Sequence, residues 1–185
     1  RDSRKGRSVE EISRMAEEFF SKRLSQNFNN IAPLVHKALN QDIYQAIEGV
    51  KPTAKVERYL NEIADALYEP EKLSIDNVAI SLVQIEEKIL RDDYRTKNES
   101  EILLTTVAIA KYSLQYWSYN SSTIGKDVTT KVENKILNRY RRIIGVIFWD
   151  VIGGLIGTAA AGPLIGGITA TAASAAASEE KEERK

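Results

Sequence analysis

The chain contains no cysteine and one histidine among 185 residues. The missing thiols exclude disulfide scaffolds, cysteine-ligated zinc, iron–sulfur clusters and thiol nucleophiles. A single histidine, His36, excludes a histidine-rich metal site and leaves any Ser-His-Asp system dependent on that residue. Excess charge of one sign is lacking too: 26 basic side chains balance 26 acidic ones, which argues against a surface built to coat nucleic acid. No phosphate-cradling Gly-x-x-x-x-Gly-Lys-Ser/Thr occurs, since Ile124-Gly125-Lys126-Asp127 lacks the first glycine and the hydroxyl. The nucleophile elbow and the dinucleotide fingerprint are also missing. These absences point to a protein that is not an enzyme and that carries no cofactor, metal or evident small-molecule substrate.

One further scarcity is local. Between Ile143 and Ser178, 36 residues carry a single ionisable group, Asp150. The flanks differ sharply: residues 126–142 hold six basic and two acidic side chains, and every residue of 179–185 is charged. Such clean boundaries imply a segment meeting a different solvent, either lipid or a protein interior.

The first 120 residues read as amphipathic helices, with no competing alternation of strand type. Ser8 and Glu11 have the spacing of a capping box, followed by Val9, Ile12, Ala16, Phe19, Phe20 and Leu24 on one face. A second helix is expected to run through Leu34, Val35, Ala38, Leu39, Ile43, Ala46 and Ile47 and to stop at Gly49. Thr53 is placed to cap a third, Ser74 a fourth, and Asn98-Glu99-Ser100-Glu101 repeats the capping spacing before a fifth. Short loops favour antiparallel neighbours. The chain is therefore expected to be an all-α, multi-helix up-and-down bundle with a C-terminal Gly/Ala-rich apolar hairpin. Residues 1–124 would form the amphipathic bundle, 125–178 a long helix running into the uncharged hairpin, and 179–185 a charged tail.

Paired acids such as Glu17-Glu18, Glu86-Glu87 and Asp92-Asp93 suggest metal ligation only at first sight. Neighbours on a helix point about 100° apart, so these pairs read as solvated surface. His36 reads as a boundary residue at the edge of an apolar face. Tyr112, Tyr116 and Tyr119 recur at helical spacing beside Trp117, with only Lys111 as a basic neighbour. A stacking platform for single strands needs more interleaved charge, so core packing or an interfacial role is expected, and no nucleic-acid partner.

The uncharged segment begins with Ile143 to Ala161, 19 residues that would span about 28 Å as a helix, close to the thickness of a hydrocarbon core. Gly162-Pro163 marks a break, and a second arm runs from Leu164 to Ser178. Gly153 and Gly157 form one Gly-x-x-x-Gly pair, Gly162 and Gly166 another, and Ala170 and Ser174 continue the row. Small residues at this spacing let helix backbones approach, which favours a tight hairpin or self-association. Arg139, Arg141 and Arg142 stand where headgroup phosphates would meet them, with Tyr140 and Trp149 as interfacial anchors. Asp150 opposes stable insertion, costing about 2.5–3.5 kcal/mol at a helix centre.

Amphipathic helices around an uncharged hairpin at 127–178 resemble the architecture of colicin-type pore-forming domains. The run Lys111-Tyr112-Ser113-x-x-Tyr116-Trp117 ahead of a Gly/Ala-rich tail is similar to exported helical proteins with glycine-zipper tails, a group without an assigned activity. These resemblances imply an all-helical exported protein. The leading expectation is a non-enzymatic exported protein that binds or conditionally inserts into membranes through residues 143–178, with a lipid membrane or a partner helix as its partner. The alternative expectation is a soluble helical interaction module with the hairpin as its buried core. The start at Arg1, with the polar run that follows, is expected of a chain processed after export or cut from a longer one.

Overall fold

The structure is a computed structural model that describes residues 6–25, 30–68, 75–120 and 132–183. Within them the chain is all-helical, with no strand. The helices are α1 (Val9–Leu24), α2 (Ala32–Leu39), α3 (Ile43–Val50), α4 (Ala54–Tyr68), α5 (Ile75–Arg91), α6 (Lys97–Asn120), α7 (Val132–Ala161) and α8 (Pro163–Glu183).

Capping chemistry sets several of these boundaries. The Ser8 hydroxyl accepts from the Glu11 amide at 3.2 Å and starts α1 as its sequence spacing predicts. The single helix expected across Leu34–Ile47 is instead two. Asn40 closes α2, and the Asp42 carboxylate accepts from the Gln45 amide at 2.8 Å to open α3. An N-cap at Asp42 outweighs the continuous apolar periodicity there, because a side chain that satisfies a free backbone amide stabilises a new helix start. Gly49 does not end α3; the helix closes one residue later, with Lys51 in the left-handed region at φ 51°.

The start of α6 is also displaced from the sequence expectation. Its reciprocal capping box is Thr96 and Glu99, not Asn98 and Glu101: the Glu99 amide donates to Thr96 Oγ1 at 3.3 Å, and the Thr96 amide donates to Glu99 Oε2 at 3.2 Å. The Thr53 hydroxyl, expected to cap α4, donates to Glu99 Oε1 at 2.9 Å. Ser74 lies outside the described residues.

The uncharged segment is the centre of the molecule. Residues 151–158 of α7 are buried without interruption. α8 lies along α7, while α2, α3, α4 and α6 pack around α7, and α1, α2 and α6 also touch α8. One continuous apolar core draws Ile12 from α1, Val35 from α2, Ile47 from α3, Leu60 from α4, Leu82 from α5, Leu103 from α6, Leu155 from α7 and Ile168 from α8. The hairpin expected as a separate region thus shares its core with the amphipathic helices, whose apolar faces it satisfies.

The turn between the arms takes one residue. α7 ends at Ala161, Gly162 adopts φ +91°, and Pro163 begins α8. A glycine in the left-handed region followed by proline at the first helical position suits a sharp reversal.

Candidate functional site

The small-residue row acts where α7 meets α8. A Cβ built on Gly153 would lie 2.7 Å from the Thr169 carbonyl oxygen and 3.0 Å from Ala170 Cα. One built on Gly157 would lie 2.9 Å from Gly166 Cα and 2.9 Å from the Ile165 carbonyl oxygen. Gly166 in turn leaves room for the Thr158 hydroxyl and lies against the Gly154 carbonyl. These pairings run antiparallel and bring the two backbones into contact. Gly162 is the exception among the expected four: it is the turn, with nothing near its missing side chain. Gly154, not singled out from the sequence, makes room for the Ile109 side chain of α6.

α6 and α8 both pack on α7, and an open groove of about 690 Å³ is lined by all three helices. Its α6 wall carries Tyr112, Ser113, Tyr116 and Trp117; its α8 wall carries Thr171 and Ser174; Asp150 of α7 lies at the floor. The tyrosines correct the core expectation. Tyr112, Tyr116 and Tyr119 are 72%, 59% and 81% exposed. Leu103, Val107, Ala110 and Leu114 occupy the buried face of α6, so the tyrosine spacing lies on the other side. Trp117 is half-buried against the core, its ring meeting Tyr116 edge-on at 5.1 Å.

Asp150, the lone charge of the segment, is 7% exposed. Its carboxylate accepts from the Ser113 hydroxyl and from Trp117 Nε1, the latter at 3.3 Å. Burial pushes its carboxyl up to about 7, with hydrogen bonds from Ser174 and Trp117 pulling the other way. None of the residues lining the groove is basic. Lys111, the adjacent cation on α6, is paired with Glu86 of α5 at 2.5 Å. The carboxyl thus has neutral donors and no compensating charge in the groove.

Other sequence candidates have structural employment. His36 is exposed on α2, and its Nε2 lies 2.8 Å from Glu10 Oε1. Glu17 accepts from the Ile31 amide at 2.7 Å, Glu18 pairs with Lys22 at 2.7 Å, and Glu87 pairs with Arg91 at 3.2 Å. Asp92 accepts from Lys55 at 2.9 Å and from the Tyr59 hydroxyl at 3.0 Å, tying the end of α5 to α4; hydrogen bonds from Lys55 and Tyr59 hold its carboxyl below the usual range. Beside it, burial first and then the charge neighbourhood of Tyr59 and Asp92 push the Tyr94 hydroxyl up to about 12. Among the described residues no group of three or more His, Asp or Glu side chains could hold a metal ion.

Trp149 packs against the core and meets Phe148 edge-on at 5.5 Å. Arg139, Arg141 and Arg142 fall in the first half of α7, in the stretch 132–142 whose side chains lie outside the described ones. Ile143–Ala161 is long and apolar enough to cross a membrane, and is mostly buried within the fold.

In the sequence Ser113 stands out only as part of the Lys111–Trp117 run, and Ser174 only as part of the small-residue row. The signal pairing them with Asp150 is the demand of a buried carboxylate for donors. Ser113 and Trp117 stand four apart on one face of α6 and answer it. No family model, no curated protein and no solved structure matches this chain.

Proposed function

We propose that this chain is a non-enzymatic helical binding module. Its uncharged hairpin serves as the core, and its ligand surface is the groove between α6 and α8. The observation that carries the reading is that groove: about 690 Å³, within the range of pockets that enclose small ligands, on the tyrosine-bearing side of α6. The burial of 151–158 supports the hairpin as core, because the surrounding helices already meet its demand for apolar contact.

A second reading rests on the length of Ile143–Ala161: the hairpin leaves the bundle at a membrane and enters lipid. It ranks below the first because entry would carry Asp150, which lies within that span, into lipid and would give up the packing of α7 and α8 against the surrounding helices.

The test is titration with a neutral, environment-sensitive hydrophobic dye. Binding is expected with a blue-shifted emission, weakened about tenfold or more by Thr171→Trp, which fills the groove from an exposed position. Unchanged dye affinity in that variant would overturn the groove as the binding surface. Leakage of anionic liposomes by the full chain would place the membrane reading first.

A further inference from the structure

A carboxylate at the floor of an aromatic-walled groove has a specific chemical complement. We propose that the α6–α8 groove is a binding site for a small organic ammonium ion, whose cationic nitrogen would be held by Asp150 and whose apolar body would lie against Tyr112, Tyr116 and Trp117. This deepens the binding-module reading and rests on it.

Three features converge on that ligand class. The groove's size suits a ligand of several carbon atoms rather than a bare ion. The one carboxyl group in its lining, Asp150, receives hydrogen bonds from neutral donors, so the groove offers a negative charge with no basic residue in its lining. A desolvated carboxylate attracts a cation far more strongly than it would in water. Exposed Tyr112 and Tyr116 and the half-buried Trp117 line the groove, and an aromatic ring attracts a cation within about 6 Å of its face. A carboxylate ligand would meet repulsion, and a neutral one would leave the charge uncompensated.

The neighbours of Asp150 leave few competing titrations. From α6 the ionisable groups at the groove are Tyr112 and Tyr116, while Lys111 is held by Glu86. The α8 segment from Pro163 to Ser178 has no ionisable side chain. On the other helices against α7, His36 of α2 is held by Glu10, Glu48 of α3 is exposed, and Lys55 of α4 is held by Asp92. Arg58 of α4 is turned to the same Asp92. Because burial raises the Asp150 carboxyl, the free groove is partly protonated near neutrality, and a bound ammonium would displace that proton. Affinity should therefore be highest above about pH 7 and fall below it.

The experiment compares 2-phenylethylammonium with its neutral isostere 2-phenylethanol by calorimetry, on the full chain at pH 8 and pH 5.5. At pH 8 the ammonium is expected to bind at least about tenfold more tightly than the alcohol. That preference should shrink by about tenfold at pH 5.5, while the alcohol's affinity stays level. Asp150→Asn should remove the preference and its pH dependence. Tyr112→Ala, at an exposed position, should weaken the ammonium several-fold more than the alcohol without disturbing the fold. Equal affinities at pH 8, or a preference that survives Asp150→Asn, would overturn the ammonium site. Binding of the neutral dye in the groove alongside equal ammonium and alcohol affinities sinks this inference alone. Failure of the dye and both ligands to bind sinks the binding-module reading with it.

Discussion

At the scale of single residues, Asp150 and the paired carboxylates Asp92 and Glu99 pull stability in opposite directions with pH. Its carboxyl is raised to about 7 by burial, from an ordinary 3.8. The folded state therefore binds this proton more tightly than the unfolded chain does. Its contribution to stability is fully present below about pH 4 and is lost as pH rises through 7. The carboxylates of Asp92 and Glu99 behave oppositely: hydrogen bonds, from Lys55 and from Thr53 respectively, lower them, so their contribution is lost at acid pH. A stability maximum on the mildly acid side of neutrality is expected. Asp150→Asn should flatten the slope between pH 5 and 8 and raise stability at pH 8 by about 1 kcal/mol or more. Thermal melts across that range check it; a wild-type chain growing steadily more stable towards pH 8 would contradict the assignment.

At the scale of elements, the α7–α8 pair depends on what glycine omits. Gly157→Leu would drive a side chain into the backbone of α8, since even a Cβ there would lie 2.9 Å from Gly166 Cα and 2.9 Å from the Ile165 carbonyl oxygen. Neither atom can rotate away, so the expected loss is about 3 kcal/mol, at the upper end for an overpacked site. Gly49 provides the contrast. It lies inside α3 with nothing near its missing Cβ, so Gly49→Ala should stabilise by about 0.5–1 kcal/mol. Denaturant unfolding of both variants would measure the difference, and a neutral Gly157→Leu would contradict the close packing. The helix boundaries carry the same lesson about local chemistry. Asp42 divides a continuous apolar pattern because its carboxylate satisfies the Gln45 amide, and Thr96 rather than Asn98 opens α6 because Glu99 can reach back to it.

At the scale of the whole molecule, one core unites the uncharged hairpin with the helices before it. The amphipathic helices carry apolar faces that α7 and α8 cover, so neither part has a complete interior alone. Removing residues 143–185 is expected to abolish cooperative unfolding and the near-ultraviolet signal of fixed aromatic packing. Calorimetry of the 1–142 chain checks this; a sharp transition there would show an independent amphipathic domain.

The helical class and several element faces were legible because periodicity and caps are local properties. Ser8 and Glu11, the turn at Gly162-Pro163 and the glycine row at 153, 157 and 166 each declare themselves over a few residues. The two sides of α6 were legible as spacings but not as roles. Leu103, Val107 and Leu114 are buried and Tyr112, Tyr116 and Tyr119 exposed, a choice settled by where α7 lies. By itself the chain determined its all-helical character and the position of its uncharged hairpin, since these follow from residue order. Only tertiary structure decided that the hairpin is the centre and that Asp150 faces a groove. Burial and the convergence of Ser113, Trp117 and Ser174 arise from helices distant in sequence, whose packing depends on the shape of the entire core.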